Sequence, residues 1–134
     1  MDAFVGTWNF VESDNFEAYM KQVGVGMVQR KLASSTKPSV VFEKTGDKWK
    51  MSVISAIKTI VTEFELDKEF EETTADGRKC KSTFSLVDGK LIQEQKAAKT
   101  GEKDSHFERW IEGDKLIVTG ESEGVKYRRV HQKA

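Results

Sequence analysis

The chain has 134 residues, 22 Lys plus Arg balanced by 22 Asp plus Glu, and one cysteine, Cys80. That length fits one domain, 1–134, around a single core or cavity, and the charge balance gives no field for a phosphate backbone, which argues against nucleic acid as a partner. A lone cysteine cannot close an internal disulfide, no apolar run approaches the ~20 residues of a membrane span, and the start MDAFVGTW carries neither a basic leader nor an apolar stretch, so a cytoplasmic globule is expected.

The first strand is expected over 6–12. The stretch after it has the clearest helical period, with Phe16, Tyr19, Met20 and Val23 at i, i+3, i+4 and i+7. Asp14 or Asn15 is placed to cap this helix, and Gly24 and Gly26 break it. A second short helix is expected over about 27–34, with Met27, Val28 and Leu32 as a sparser apolar set. Nine strands follow, at 39–44, 49–54, 57–66, 69–73, 78–87, 90–96, 105–112, 115–122 and 125–132. Their punctuation is Thr45-Gly46-Asp47, Ala75-Asp76-Gly77, Asp88-Gly89, Gly113-Asp114 and Glu123-Gly124. Hairpin-length links and the lack of any long crossover predict an all-β fold: a ten-stranded antiparallel up-and-down barrel with two helices between its first two strands.

Sorting the strands by parity gives inner faces that are apolar but mixed. Cys80, Ser82, Phe84 and Leu86 align after Arg78; Leu91, Gln93 and Gln95 align on the next strand; Ile60, Thr62, Phe64 and Leu66 align, as do Phe70 and Glu72. A packed core does not hold so many polar groups, since each one left buried and unsatisfied costs ~1–3 kcal/mol. Either a hydrated cavity satisfies them, or the parity is misassigned on some strands.

The last strand puts Val125, Tyr127, Arg129 and His131 on one face, and leaves Lys126, Arg128, Val130 and Gln132 on a face that reads as solvated. Arg109 likewise shares a face with Phe107 and Ile111. Between these two strands lie Leu116, Val118 and Gly120, and the glycine is read as leaving space for two converging arginines. Such a pair needs an anion: a ligand carboxylate, which guanidinium matches bidentately, or Glu72 within the barrel. The alternative is that either arginine snorkels to solvent.

The stretch GTWNFVESDNFEAYMKQV, residues 6–23, resembles the signature of the cytosolic fatty-acid-binding proteins. VGVGMVQRK, EFELDKEFEETTADGRKCKST and the closing VKYRRV extend the resemblance over essentially the whole chain. It implies a clam-like barrel with a two-helix lid, a gap between the fourth and fifth strands near Asp67 and Lys68, and no cofactor, metal or enzymatic activity. It also implies a monomeric carrier of long-chain fatty acids or similar acidic lipids that makes transient contact with anionic membranes. Arg109 and Arg129 fall on the family's two carboxylate-binding arginines, and His131 stands where many members have tyrosine. Retinol-binding members have glutamines at the arginine positions, which favours an acidic ligand here. The long link KAAKTGEKD points to an invertebrate-type member.

By the same resemblance, Phe16, Tyr19, Met20 and Val25, with Val23 and Met27 beside them, belong to the lid side of the cavity. Ile57 stands at its portal, and Asp76, Arg78, Gln95 and Val118 belong to the lining of the cavity or portal. Several of these serve equally well as lid-to-barrel packing. Lys21, Arg30 and Lys31 match a basic patch that in certain relatives supports nuclear import; a solvated helix face is the plain alternative. Trp8 reads as barrel floor. Two competing classes remain, an enzyme using Cys80 with His131 as a thiol–imidazole pair and a membrane-stacking protein, for which the balanced charge is unsuited.

Overall fold

The computed structural model describes residues 2–134. Strand β1 spans Gly6–Asp14; the helices α1, Phe16–Gln22, and α2, Met27–Ser34, follow it directly. The remaining strands are β2 Ser39–Thr45, β3 Lys48–Ile54, β4 Thr59–Phe64, β5 Phe70–Thr73, β6 Lys79–Val87, β7 Lys90–Ala97, β8 Ser105–Glu112, β9 Lys115–Ser122 and β10 Val125–Lys133. All ten join one antiparallel sheet in the order β4-β3-β2-β1-β10-β9-β8-β7-β6-β5. The first and last strands pair, so the sheet curls into a barrel whose two end strands, β4 and β5, do not pair with each other. The expected gap near Asp67 and Lys68 lies between them. It is bridged by Leu66, paired in parallel with Phe84, and by the Asp67 N–H donated to the Phe84 carbonyl at 2.7 Å.

Local chemistry explains most of the links. Asp88-Gly89 and Glu123-Gly124 both hold positive φ at each residue, the backbone that matches the twist of a two-residue hairpin. The strand expected over 57–66 is shorter, because Ser55 builds a turn instead: its hydroxyl donates to the Lys58 carbonyl and accepts from the Lys58 amide. Ile57 therefore sits in the β3–β4 turn. Helix α1 is not capped as expected. Asn15 occupies the cap position at φ 64 with no side-chain bond to the helix, and its side-chain amide donates instead to the Lys126 carbonyl at 2.7 Å, tying the helix start to β10.

The core has three parts. At the floor, the Trp8 indole N–H donates to the Phe4 carbonyl at 2.9 Å, and Phe4 packs edge-on against Phe42. Along one wall Phe64, Phe84 and Phe70 stack in succession, with Trp49 beyond Phe64. At the other end Phe16 and Tyr19 of α1 meet Tyr127 and Phe107, whose rings point inward from β10 and β8. Helix α1 thus lies across the barrel mouth. Helix α2 buries no side chain; Met27 and Val28 are 62% and 73% exposed.

Inward parity holds for nearly every strand, with two exceptions. Leu86, expected inside, is exposed near the end of β6, while Val130 on the supposedly solvated face of β10 is only 5% exposed. Val130 registers opposite Ile117, which in turn registers opposite Trp110. A small apolar cluster therefore lies on the outer surface of the sheet.

Gly120 shows how tightly the mouth is filled. A methyl group there would lie 2.3 Å from Tyr127 Cε2 and 2.8 Å from Phe107 Cδ1, both on buried rings. Gly120→Ala is expected to destabilise the fold by about 1–3 kcal/mol, read as a lower urea midpoint. Gly26→Ala, which meets no atom within 4 Å, should leave the midpoint nearly unchanged.

Candidate functional site

The inner faces of β5, β6 and β7 bring Glu72, Ser82, Gln93 and Gln95 together. Glu72 Oε1 accepts hydrogen bonds from Ser82 Oγ at 2.6 Å, Gln95 Nε2 at 2.9 Å and Gln93 Nε2 at 3.1 Å. Gln93 also accepts, through Oε1, a bond from Arg109 Nη1 at 3.0 Å. Arg109 thus reaches the carboxylate through an amide relay. The polar inner residues form a connected network, as buried polar groups must if they are not to destabilise the fold. The sequence offered Glu72 as the alternative to a ligand carboxylate for meeting these charges; the Gln93 relay was not among the expectations, although its inward parity was visible.

Arg109 is 9% exposed, with its guanidinium 5.6 Å from the ring centres of Phe84 and Phe107. Burial pushes its pKa below the usual value, opposed by Tyr127, Glu72 and Tyr19; an arginine nonetheless stays charged. Arg129 lies between rings, 4.2 Å from Phe16 and 5.1 Å from Phe10. Its Nε is buried without a hydrogen-bond partner. The residue between the two arginines is not Gly120: both register opposite Val118. The room at Gly120 belongs to the rings of Tyr127 and Phe107, and the arginines flank a valine.

His131 is 2% exposed, beside Phe10 at 5.8 Å between ring centres, and its Nδ1 is buried without a partner. Burial, and then the Arg129 charge, pushes its pKa down to about 4, against a bond to the Trp8 backbone. The imidazole is neutral at pH 7. A titration near 6.5, the ordinary histidine value, is not what this environment gives.

At the mouth, the Tyr19 hydroxyl lies 2.7 Å from Ser105 Oγ, joining α1 to β8, and burial raises its pKa. Asp76 pairs with Arg78 at 2.8 Å and accepts the Thr74 hydroxyl at 2.6 Å. Burial works against its charge, but Arg78 and Thr74 hold it below the usual carboxylate range. The β3–β4 and β5–β6 turns meet where Lys58 donates to the Ala75 carbonyl at 2.7 Å, and Ile57 stands exposed beside that contact. Met20 and Val23 are buried, and Val25 and Phe16 pack partly buried against the same core. Met27 faces outward and does not line the interior.

The basic trio is not a uniform patch. Lys21 and Lys31 are exposed, whereas Arg30 turns back to donate to the Val25 carbonyl at 2.6 Å and is half-buried. Cys80 and His131 lie on β6 and β10, with three strands between them, and burial raises the Cys80 thiol. His131 Nδ1 has no hydrogen-bond partner, and a thiol raised by burial is not activated as a nucleophile. Among the described residues no group of three His, Cys, Asp or Glu is placed to hold a metal, and no helix is long and apolar enough to cross a membrane.

A barrel of this topology with inward arginines defines a class, and comparison with known proteins gives its family. The model of the lipocalin / cytosolic fatty-acid binding protein family matches residues 5–134, and the chain belongs to that family. It is 46% identical over 130 residues to fatty acid-binding protein homolog 5 of Caenorhabditis elegans, covering 97% of this chain and 96% of the relative. Apo lipid binding protein 8 of the same organism superposes with a TM-score of 0.98 at 35% identity, over 100% of this chain and 97% of that one. A Schistosoma mansoni fatty acid binding protein in complex with arachidonic acid superposes at 0.92 and 31% identity, over 100% and 98%.

The low His131 pKa has a testable consequence. Its folded value lies below its unfolded value, so between about 6.5 and about 4 the unfolded chain binds the extra proton. Stability must therefore fall as pH falls through that window, by up to about 3 kcal/mol. The raised pKa of His106, which sits between Glu94 and Glu108, acts in the opposite sense. Subtracting the stability–pH curve of His131→Gln from that of the parent isolates the His131 component, and a flat difference curve would refute it.

Proposed function

We propose that this chain is a non-enzymatic carrier that binds a long-chain fatty acid in its barrel and moves it between membranes and other sites. The observation that carries this reading is the pair of inward guanidiniums. Arg109 and Arg129 stand on inner faces of the barrel; Arg109 reaches Glu72 only through Gln93, and Glu72 Oε1 already accepts from Ser82, Gln93 and Gln95. A ligand carboxylate supplies the missing anion with the fork geometry that guanidinium prefers. Kinship with fatty acid-binding proteins, one of them complexed with arachidonic acid, supports the same ligand class.

In this reading Arg129 is the principal carboxylate partner, Arg109 assists while held by Gln93, and His131 offers its unpartnered Nδ1 as the third contact. Gln95 and Val118 line the wall. Phe16, Tyr19, Met20 and Val25 lie under the lid, and Ile57, Asp76 and Arg78 frame the portal. The whole of 1–134 acts as one monomeric lipid-binding domain in the cytoplasm. Lys21 and Lys31, next to the exposed Met27, Val28 and Leu32 of α2, meet anionic membranes during transfer. Nuclear import through Lys21, Arg30 and Lys31 requires Arg30 to leave the Val25 carbonyl, for instance when ligand remodels the lid.

Binding should strengthen with chain length by ~0.8 kcal/mol per buried methylene until the cavity is full. Arg129→Gln is expected to weaken a fatty acid by about 1.5–3 kcal/mol, the scale of a charge-assisted hydrogen bond, and the matching fatty alcohol far less. Equal losses in titration calorimetry would assign the arginine to the barrel and not to the ligand. Reversing charge at Lys21 and Lys31 should slow transfer to anionic vesicles, with equilibrium affinity nearly unchanged and salt imitating the mutation. Transfer that ignores both salt and mutation would mean release by diffusion through water.

A further inference from the structure

Strand β1 is nine residues long, yet it pairs with β2 only through Gly6, Thr7 and Trp8, opposite Phe42, Val41 and Val40. Its register with β10 shifts between Phe10 and Glu12, and beyond that bulge it follows β10 alone, up to Asp14 opposite Arg128. A bulge of this kind bends its own strand and increases its local twist, and the β1–β2 pairing has already ended at Trp8. The last link across the divide is Ser39 Oγ to Asn9 Oδ1 at 3.1 Å. Above it the sheet is open between the distal half of β1 and the segment joining α2 to β2.

That opening is a cleft of about 350 Å³, lined on the β1–α1 side by Phe10, Ser13, Asn15, Phe16 and Arg129 and on the other by Ser34 to Lys37, with Glu17 and Ala18 of α1 above. Ser13 registers opposite Arg129, so both side chains emerge on the same side of the sheet. Its lining is rich in hydroxyls and carries two cations, Arg129 and Lys37, against one carboxylate, Glu17. The phenyl rings of Phe10 and Phe16 fix the guanidinium between them, and its Nε has no partner. Ser35 and Thr36 turn their hydroxyl protons toward the Leu32 and Ala33 carbonyls at 2.8 and 2.9 Å, which anchors that wall to the end of α2.

We propose that this cleft is a second mouth of the barrel and a binding site for a small water-soluble dicarboxylate, one carboxylate on Arg129 and the other toward Lys37. The site is separate from the portal at Ile57 and Ala75, which lies on the β3–β4 and β5–β6 turns. It depends on Arg129 being accessible from the cleft, and it goes beyond the fatty-acid reading because it requires no lipid. Where a lipid carboxylate also uses Arg129, the two ligands compete for one guanidinium, so an aqueous anion displaces a lipid headgroup without entering by the lipid's own route.

The test titrates disodium succinate into delipidated, nitrogen-15-labelled protein at constant ionic strength, with sodium chloride as the control. Saturable shifts are expected at Ser13, Asn15 and Ser34 to Lys37, with a millimolar dissociation constant. Arg129→Gln should abolish saturation. Lys37→Glu, a surface change that keeps the barrel intact, should weaken succinate at least fivefold and leave oleate affinity within twofold. Non-saturating shifts, shifts confined to the residues around Ile57 and Ala75, or unchanged binding in both variants would overturn the proposal. Saturable succinate binding without oleate binding would remove the lipid reading and leave the cleft standing; oleate binding without saturable succinate would remove the cleft alone.

Discussion

Two guanidiniums turned into the barrel, against one carboxylate already committed to neighbours, are the constraint on which the rest of the interior depends. Charge is costly to hold in a low-dielectric interior unless it is bonded or met by an opposite charge. The barrel meets that cost unevenly. Arg109 is tied through Gln93 to Glu72, and this link explains why β5, β6 and β7 devote inward positions to Glu72, Ser82, Gln93 and Gln95. Arg129 is flanked by the rings of Phe10 and Phe16, each contributing the modest attraction of a cation over an aromatic quadrupole, and its Nε has no hydrogen-bond partner. The same pressure keeps His131 neutral, because a third positive charge beside Arg129 is disfavoured.

The two ends of the barrel answer different demands. The floor is closed by large side chains with satisfied polar atoms, as at Trp8 and the Phe4 carbonyl. The mouth is covered by α1, held through Tyr19, Phe16 and Met20, while α2 rests on no buried side chain of its own. Elements with few buried contacts are the ones that open at low cost. Helix α2 and its exposed apolar residues therefore suit movement and contact, and the β-wall suits ligand positioning. Phe16 bridges these roles, since a lid residue supports the guanidinium that is the leading candidate to hold the ligand.

Much of this was legible in the sequence because alternation is local. A strand's two faces follow from its own residues, so the inward set of β7, Leu91, Gln93 and Gln95, and the inward Arg109 and Arg129 were readable before any strand was placed. Turn chemistry was likewise local at Asp88-Gly89 and Glu123-Gly124. The resemblance of residues 6–23 to the cytosolic fatty-acid-binding proteins then joined these pieces into one topology, which the sheet order and the family match both support.

What the sequence by itself determined was therefore periodicity: ten strands, two helices, and which side chains share a face. The tertiary structure decided everything that depends on register between strands distant in sequence. Only pairing shows that Val118, and not Gly120, lies between the arginines, and that Gln93 carries Glu72 to Arg109. Only packing shows that Val130 is buried on the outer surface, that Arg30 folds back on Val25, and that β1 parts from β2 beyond Trp8. The physical reason is common to all of these. A side chain's direction is set by its own backbone, whereas its neighbours, its exposure and hence its pKa are set by chain segments that the local sequence does not encode.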